Sequence, residues 1–135
     1  MLRCISMKDF SLEWKSSSNV GKQRKYRANA PLHLKRKYLA SHLSKELRKK
    51  FGRRSLVLRK GDKIRVMRGK FKGKIGKVEN LEIKISKVFV TGIELTKKDG
   101  SKKLVPLEAS NLLILEAIME DSKRKKIIKR KVDMK

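Results

Sequence analysis

Little in this sequence is of the kind that catalysis, secretion or membrane insertion needs. It has one cysteine, Cys4, so no intrachain disulfide and no multi-cysteine zinc site can form, and a lone thiol so near the N-terminus is assigned no role. The two histidines, His33 and His42, have no cysteine or carboxylate around them at metal-ligand spacing. Acidic residues number only 13. Glu79 and Glu82, on or beside a strand, read as charge balance and not as an acid–base couple. The segment from Gly69 to Gly76 lacks both the P-loop spacing and its Lys-Ser or Lys-Thr ending. No enzyme, cofactor, metal or small-molecule substrate is expected. The longest purely apolar run, Leu112 to Leu115, is far too short to span a bilayer, and neither an amphipathic anchor nor a lipid signal accompanies it. Met1 to Ser6 contains Arg3 but no apolar stretch of signal-peptide length, so the expected location is cytoplasmic.

What the chain does have is positive charge. Its 135 residues include 39 Lys plus Arg, for a formal net charge of +26. Such an excess repels itself unless a polyanion neutralises it, and phosphate backbones do so while releasing condensed counterions. The charge is uneven. Residues 1–55 hold 16 basic and 3 acidic side chains, residues 56–115 hold 15 and 6, and residues 116–135 hold 8 and 4. The middle segment also carries most of the β-branched and apolar alternation, which makes it the source of the core.

Four zones follow. Residues 1–29 read as a basic arm without its own core: the serines at 16 to 18 precede a basic run of Lys22, Arg24, Lys25 and Arg27. Extended, this arm would reach on the order of 90 Å at roughly 3.3 Å per residue. Tyr26 within it either stacks on a base or packs on the body of the protein. Residues 30–55 read as short helices packing on the core and on RNA. Pro31 suits the first position of one, with Leu32, Leu34, Tyr38 and Leu39 on one side and His33, Lys35, Arg36 and Lys37 on the other. A second helix is predicted to start at the Ser44 cap and end at Gly52, with Glu46 in its first turn and Arg48, Lys49 and Lys50 in its last. These basic faces are either solvated or RNA-bound.

Residues 56–115 change period. Ile64 and Val66 alternate with Lys63, Arg65 and Met67, as in a half-buried strand. Ile75, Val78 and Leu81 suggest a second strand, and Val88, Phe89, Val90 and Ile93 a third. Lys98-Asp99-Gly100-Ser101 signals a tight hairpin. Leu104, Val105 and Leu107 then make a fourth strand and Leu112 to Leu115 a fifth, with Pro106 at an edge or bulge. Five short strands in about sixty residues predict a mainly β protein, a small antiparallel barrel that hides its edges by closure. A core of this size supplies only about 3–5 kcal/mol, so the arms are expected to be partly folded when the protein is alone. Residues 116–135 form the fourth zone. From Asp121 onward they read as a basic helix capped by Asp or Ser, with only Ile127 and Ile128 apolar, no broad core-facing stripe, and order gained on contact.

The most informative stretch is Lys60 to Leu81, KGDKIRVMRGKFKGKIGKVENL. Gly69 and Gly73 allow a sharp turn whose amides and lysines can meet a phosphate, and Gly76 would permit the bend or bulge that starts the returning strand. The order of Gly61-Asp62, Ile64, Val66, the Gly69 to Gly73 turn, Gly76 and Val78 resembles the KOW motif of ribosomal and transcription-elongation proteins. Outside the motif, Asn29-Ala30-Pro31-Leu32-His33-Leu34-Lys35-Arg36-Lys37, Leu43-Ser44-Lys45-Glu46-Leu47-Arg48, Arg53-Arg54-Ser55 and Arg59-Lys60-Gly61-Asp62 resemble the archaeal and eukaryotic form of the universal large-subunit ribosomal protein number twenty-four. The resemblance covers residues 7–131. It implies an SH3-like barrel that binds large-subunit ribosomal RNA early in assembly, beside neighbouring large-subunit ribosomal proteins and near the mouth of the nascent-peptide tunnel. Carried onto matching positions, it implies RNA contacts from Arg65, Arg68, Lys70, Lys72 and Lys74 and from the basic residues between Asn29 and Lys37.

Members of that family often begin near the Met-Lys found here as Met7-Lys8, which makes Met1 to Ser6 either an extension or a misassigned start. The end at Lys135 suits a short archaeal-like form. Two other readings start from the same residues. A transcription-elongation factor would use a KOW barrel for protein contacts and normally carry a second domain, where this chain has basic arms. A nonspecific nucleic-acid-binding protein would follow from charge alone, since phosphate contacts do not say which nucleic acid is held.

Overall fold

The computed structural model describes residues 10–132. Met1 to Ser6, with Cys4 and the question of the true start, lies outside the described residues.

The described part of the segment expected as a basic arm without its own core is helical over much of its length. A 3-10 turn, Leu12–Ser16, leads into α1, Val20–Asn29. The Asn19 side chain accepts from the Gly21 and Lys22 amides and so supplies partners that the first turn of α1 lacks. Gln23 ties the two pieces together, its amide donating to the carbonyls of Trp14, Lys15 and Ser17 at 2.8–3.0 Å. At 1.5 Å per residue, α1 spans far less than an extended arm would.

A second short helix, α2, Leu32–Tyr38, starts one residue later than expected: Pro31 takes the N-cap position in place of Asn29 or Ala30, with no side-chain cap bond, and Leu32 is the first helical residue. Leu34 and Tyr38 are partly buried, but Leu32 is 56% exposed, against expectation. Two residues along a helix turn the side chain by about 200°, so Leu32 cannot share the Leu34–Tyr38 line. The chain then enters β1, Ala40–Leu43, which the sequence did not reveal. Next comes α3, Lys45–Phe51, with Ser44 accepting from the Leu47 amide and Gly52 in the left-handed conformation at φ 59°, as the capping pattern predicts.

The remaining strands are β2, Ser55–Val57; β3, Lys63–Val66; β4, Ile75–Glu82; β5, Lys87–Val90; β6, Glu94–Thr96; β7, Lys102–Leu104; β8, Leu107–Glu108; and β9, Leu112–Glu116. Helix α4, Ser122–Val132, follows them. Seven strands form one sheet in the order β2-β1-β9-β3-β4-β5-β8, while β6 and β7 form the hairpin expected at Asp99-Gly100. Pro106 lies between β7 and β8, outside any ladder.

The mainly β class holds, but the closed antiparallel barrel does not describe the pairing. Among the described residues no ladder joins the end strands β2 and β8, and β1 runs parallel to β9. The parallel pair arises because β1 comes from outside the 56–115 segment and docks on its last strand. Its inward residues are Ser41 and Leu43. Ser41 is a polar residue in the core, and this masks the strand period; its hydroxyl donates to the Ala109 carbonyl.

The inner faces of β1, β2, β3, β4, β5 and β9 supply one core of Leu43, Leu56, Ile64, Val66, Val78, Val88, Val90, Leu112 and Ile114, joined by Leu39, Phe51, Leu58, Ile93 and Ala109. Ile75, which with Val78 and Leu81 suggested this strand, is 56% exposed. Positions three apart on a strand face opposite sides, and the β4 bulge lies only beyond Val78.

Within α1, Tyr26 is the one buried side chain. Backbone amides of α1 are therefore expected to exchange with solvent faster than those of β3 and β9. Hydrogen-exchange mass spectrometry of the free protein checks this; equal protection across α1, Val20–Asn29, and the sheet would contradict it.

Candidate nucleic-acid interface

The motif turn is built from the backbone. Gly69 and Gly73 adopt φ 88° and 86°, values that side chains disfavour, so the chain reverses between β3 and β4 within a few residues. Val66 and Lys74 open the turn with a 2.9 Å bond from the Val66 amide to the Lys74 carbonyl, and the Gly73 amide returns to the Val66 carbonyl at 2.8 Å. Phe71 is the anchor, partly buried against the core, with the Lys74 ammonium 5.3 Å from its ring centre. With the ring held inward, Arg68, Lys70, Lys72 and Lys74 are left exposed, as is Arg65 on the outer face of β3. A Cβ at Gly69 or Gly73 would meet nothing within 4 Å, so that side of each residue is open.

Gly76 has a different role from the one predicted. It sits within the β3–β4 ladder opposite Ile64, not at a bulge. A Cβ there would lie 2.5 Å from the Thr91 carbonyl oxygen and 2.7 Å from Val90 Cγ1, so its lack of a side chain is what lets β4 lie against the end of β5. Gly61, φ 90°, faces Ile118 in the same close way.

A second basic surface gathers residues from distant parts of the chain. A groove of about 470 Å³ is lined by Arg24, Arg27 and Lys35 from α1 and α2 and by Lys84 and Lys87 around the β4–β5 turn, with Tyr38 in its wall. The Arg27 guanidinium lies 5.7 Å from the Tyr38 ring centre. Burial raises the Tyr38 hydroxyl above its ordinary pKa, Tyr26 adds to the rise, and Arg27 pulls the other way. Lys35 reaches back to the Ala28 carbonyl at 3.0 Å and so fixes α2 relative to α1. Ser110 ends this groove, and the Met67 amide at the root of the motif turn donates to the carbonyl of Asn111, its neighbour in sequence. The turn and the groove thus adjoin.

Of the remaining predicted residues, Lys22, Lys25 and His33 are exposed, and Arg36 and Lys37 line a different cavity. Tyr26 takes its packing alternative: it is 6% exposed, its ring centre 5.1 Å from that of Phe10, and it offers no free face to a base. Sequence reasoning missed Lys84 and Lys87, which are unremarkable until the β4–β5 turn carries them to α1. It also missed the role of Asp62.

Asp62 is fully buried, and Arg124 of α4 is 4% exposed. Arg124 Nη1 and Nη2 each donate to one oxygen of Asp62 at 2.8 Å, while the amides of Ile118 and Arg59 donate to the same oxygens at 3.0 and 2.8 Å. The carboxylate is saturated by this two-pronged arrangement. This pair ties helix α4, read from its two isoleucines as frayed until contact orders it, to the body of the protein. Arg124 and Ile128, one turn apart, face the body, and Ile128 packs on the core. A charged residue at a core-facing position hides such a stripe from any apolar count.

Fold and surface together define a small basic β protein whose exposed faces suit a polyanion. Among the described residues no helix is long and apolar enough to cross a membrane, and no cluster of metal-ligating side chains occurs. Residues 17–131 match the family model that describes the eukaryotic L26 ribosomal proteins together with their archaeal counterparts. The chain is also 42% identical over 116 residues to the large ribosomal subunit protein uL24 of Methanosphaera stadtmanae, an alignment covering 86% of this chain and 99% of that protein. The chain belongs to this family of ribosomal proteins, which are structural proteins and not enzymes.

Proposed function

We propose that the protein is a structural constituent of the large ribosomal subunit, where it binds large-subunit ribosomal RNA and touches neighbouring large-subunit ribosomal proteins. The observation that carries this is the near full-length similarity to a large-subunit protein. The exposed cations of the motif turn, with Arg24, Arg27 and Lys84 of the adjoining groove, support RNA as the direct partner. The finer reading is of a cytoplasmic, ribosome-bound protein that joins early in assembly and lies near the tunnel mouth, its seven-stranded sheet corresponding to the SH3-like barrel of the family. Family resemblance supports these points.

Sedimentation of a cell extract, with this chain detected by mass spectrometry, tests the reading. The chain should travel with the large subunit; recovery in free cytosol or with RNA polymerase would overturn it. A second expectation concerns the motif turn. Replacing two of Arg68, Lys70, Lys72 and Lys74 by Ala should weaken binding to large-subunit RNA and flatten the slope of log affinity against log salt by roughly one to two. An unchanged slope in filter-binding titrations would remove the turn from the interface.

A further inference from the structure

Between α2, the edge strand β2 and α4 lies a second cavity, of about 400 Å³, within the roughly 300–1,000 Å³ range of small-ligand sites. Its walls differ from those of the groove beside the motif turn. Ala40, Leu56, Val57 and Ile127 make an apolar floor, with Ile127 38% exposed although it is a large aliphatic side chain. Around that floor stand Arg36, Lys37, Arg53 and Lys123. Among the described residues none of these four has a carboxylate within ion-pair distance. The acid in the wall, Asp121, is already engaged by Arg59 at 2.8 Å and by the Lys123 amide at 3.1 Å. Arg53 Nε is shut off from solvent and has no acceptor.

We propose that this cavity is a nucleotide subsite that receives one unpaired base extruded from the bound RNA, with its phosphate held by Arg36, Lys37, Arg53 and Lys123. The chemistry of the walls argues for this occupant. A nucleotide is flat and weakly polar on its faces and anionic at one end, and the cavity pairs an apolar floor with an unneutralised basic rim. Guanidinium groups serve both needs, since they stack on bases and fork onto phosphate oxygens. Docking of α4 through Arg124 and Asp62 holds Ile127 and Lys123 opposite β2, so the site exists before RNA arrives. The inference rests on the RNA-binding reading above and adds to it a specific place for an unstacked base.

The test compares the full chain on two RNA hairpins at about 0.15 M salt, one fully paired and one carrying a single bulged adenosine. The wild type should prefer the bulged hairpin on the order of tenfold, the effect of one stacked base. Ile127→Ala, which alters no charge, should abolish that preference while leaving the salt slope and the affinity for the paired hairpin unchanged. Arg53→Gln should weaken the bulged complex and reduce its salt slope by about one. No preference in the wild type, or a preference that survives Ile127→Ala, overturns the subsite while large-subunit RNA binding stands. Failure of the wild type to bind large-subunit RNA overturns the broader reading instead. Methyl resonances of Leu56 and Ile127 give an independent readout: adenosine 5′-monophosphate should shift them and inorganic phosphate should not. Shifts produced only by an acidic peptide bearing an aromatic residue would assign the cavity to a protein partner.

Discussion

Asp62→Ala should remove most of the stability of the protein, with a loss of about 3–5 kcal/mol in urea unfolding followed by far-UV circular dichroism. Few single changes reach that size, and whole domains are typically stable by only about 5–15 kcal/mol. The effect is large because it is not the deletion of a surface ion pair. Asp62 is fully buried, and its two oxygens accept four donors: two from the Arg124 guanidinium and one each from the Arg59 and Ile118 amides. Truncation leaves the buried Arg124 charge with only the Ile118 and Val57 carbonyls, at 2.8 and 3.3 Å, and leaves two amides without acceptors. Changing both partners, Asp62→Leu with Arg124→Met, should recover much of the loss, because no buried charge is then stranded. Arg124→Ala alone should release α4, with amides from Ser122 to Val132 losing protection while β3 and β9 keep theirs. An Asp62→Ala protein that unfolds within about 1 kcal/mol of wild type would show that the pair is not the anchor. The surface pairs Lys63–Glu116 and Lys87–Glu108, both cross-strand and solvent-exposed on at least one side, should change stability by less than about 1 kcal/mol each when broken.

The same residue shows where sequence reading stops. Gly61-Asp62 was legible as the opening of the motif, and the strands at Ile64, Val88 and Leu112, the Asp99-Gly100 hairpin and the Ser44 and Gly52 caps were legible because each depends on local period or local backbone geometry. Asp62–Arg124 joins positions 62 residues apart and has no local signature. Strand β1 was hidden for a related reason: its core-facing Ser41 is polar and is satisfied by Ala109, far along the chain. The interface divides in the same way. The motif turn is a local object and could be read directly, whereas the groove that unites Arg24, Arg27 and Lys35 with Lys84 and Lys87 exists only after β4 and β5 have folded back to α1. Tyr26 could not be assigned from its neighbours in sequence, because its burial depends on Phe10, sixteen residues earlier.

Gly76→Ala should cost about 1–3 kcal/mol and should also weaken RNA binding, although the substitution adds one methyl group and removes no charge. The new Cβ would stand 2.5 Å from the Thr91 carbonyl oxygen and 2.7 Å from Val90 Cγ1. The first of these is backbone, and it cannot easily withdraw: the Thr91 amide and hydroxyl both donate to the Lys77 carbonyl, at 3.0 and 3.2 Å. Val90 is itself fully buried. Relief must therefore come from moving β4 away from β5, and β4 is the strand that carries the chain out of the motif turn. Lys74 and Lys72, two and four residues before Gly76, would move with it. Gly69→Ala is the control. It meets no atom within 4 Å and suffers only from its φ of 88°, so its cost should stay within the turn, with the β4–β5 amide resonances unchanged. If Gly76→Ala left both the urea midpoint and the affinity for large-subunit RNA at wild-type values, the close approach of β4 to Thr91 would not be what positions the turn.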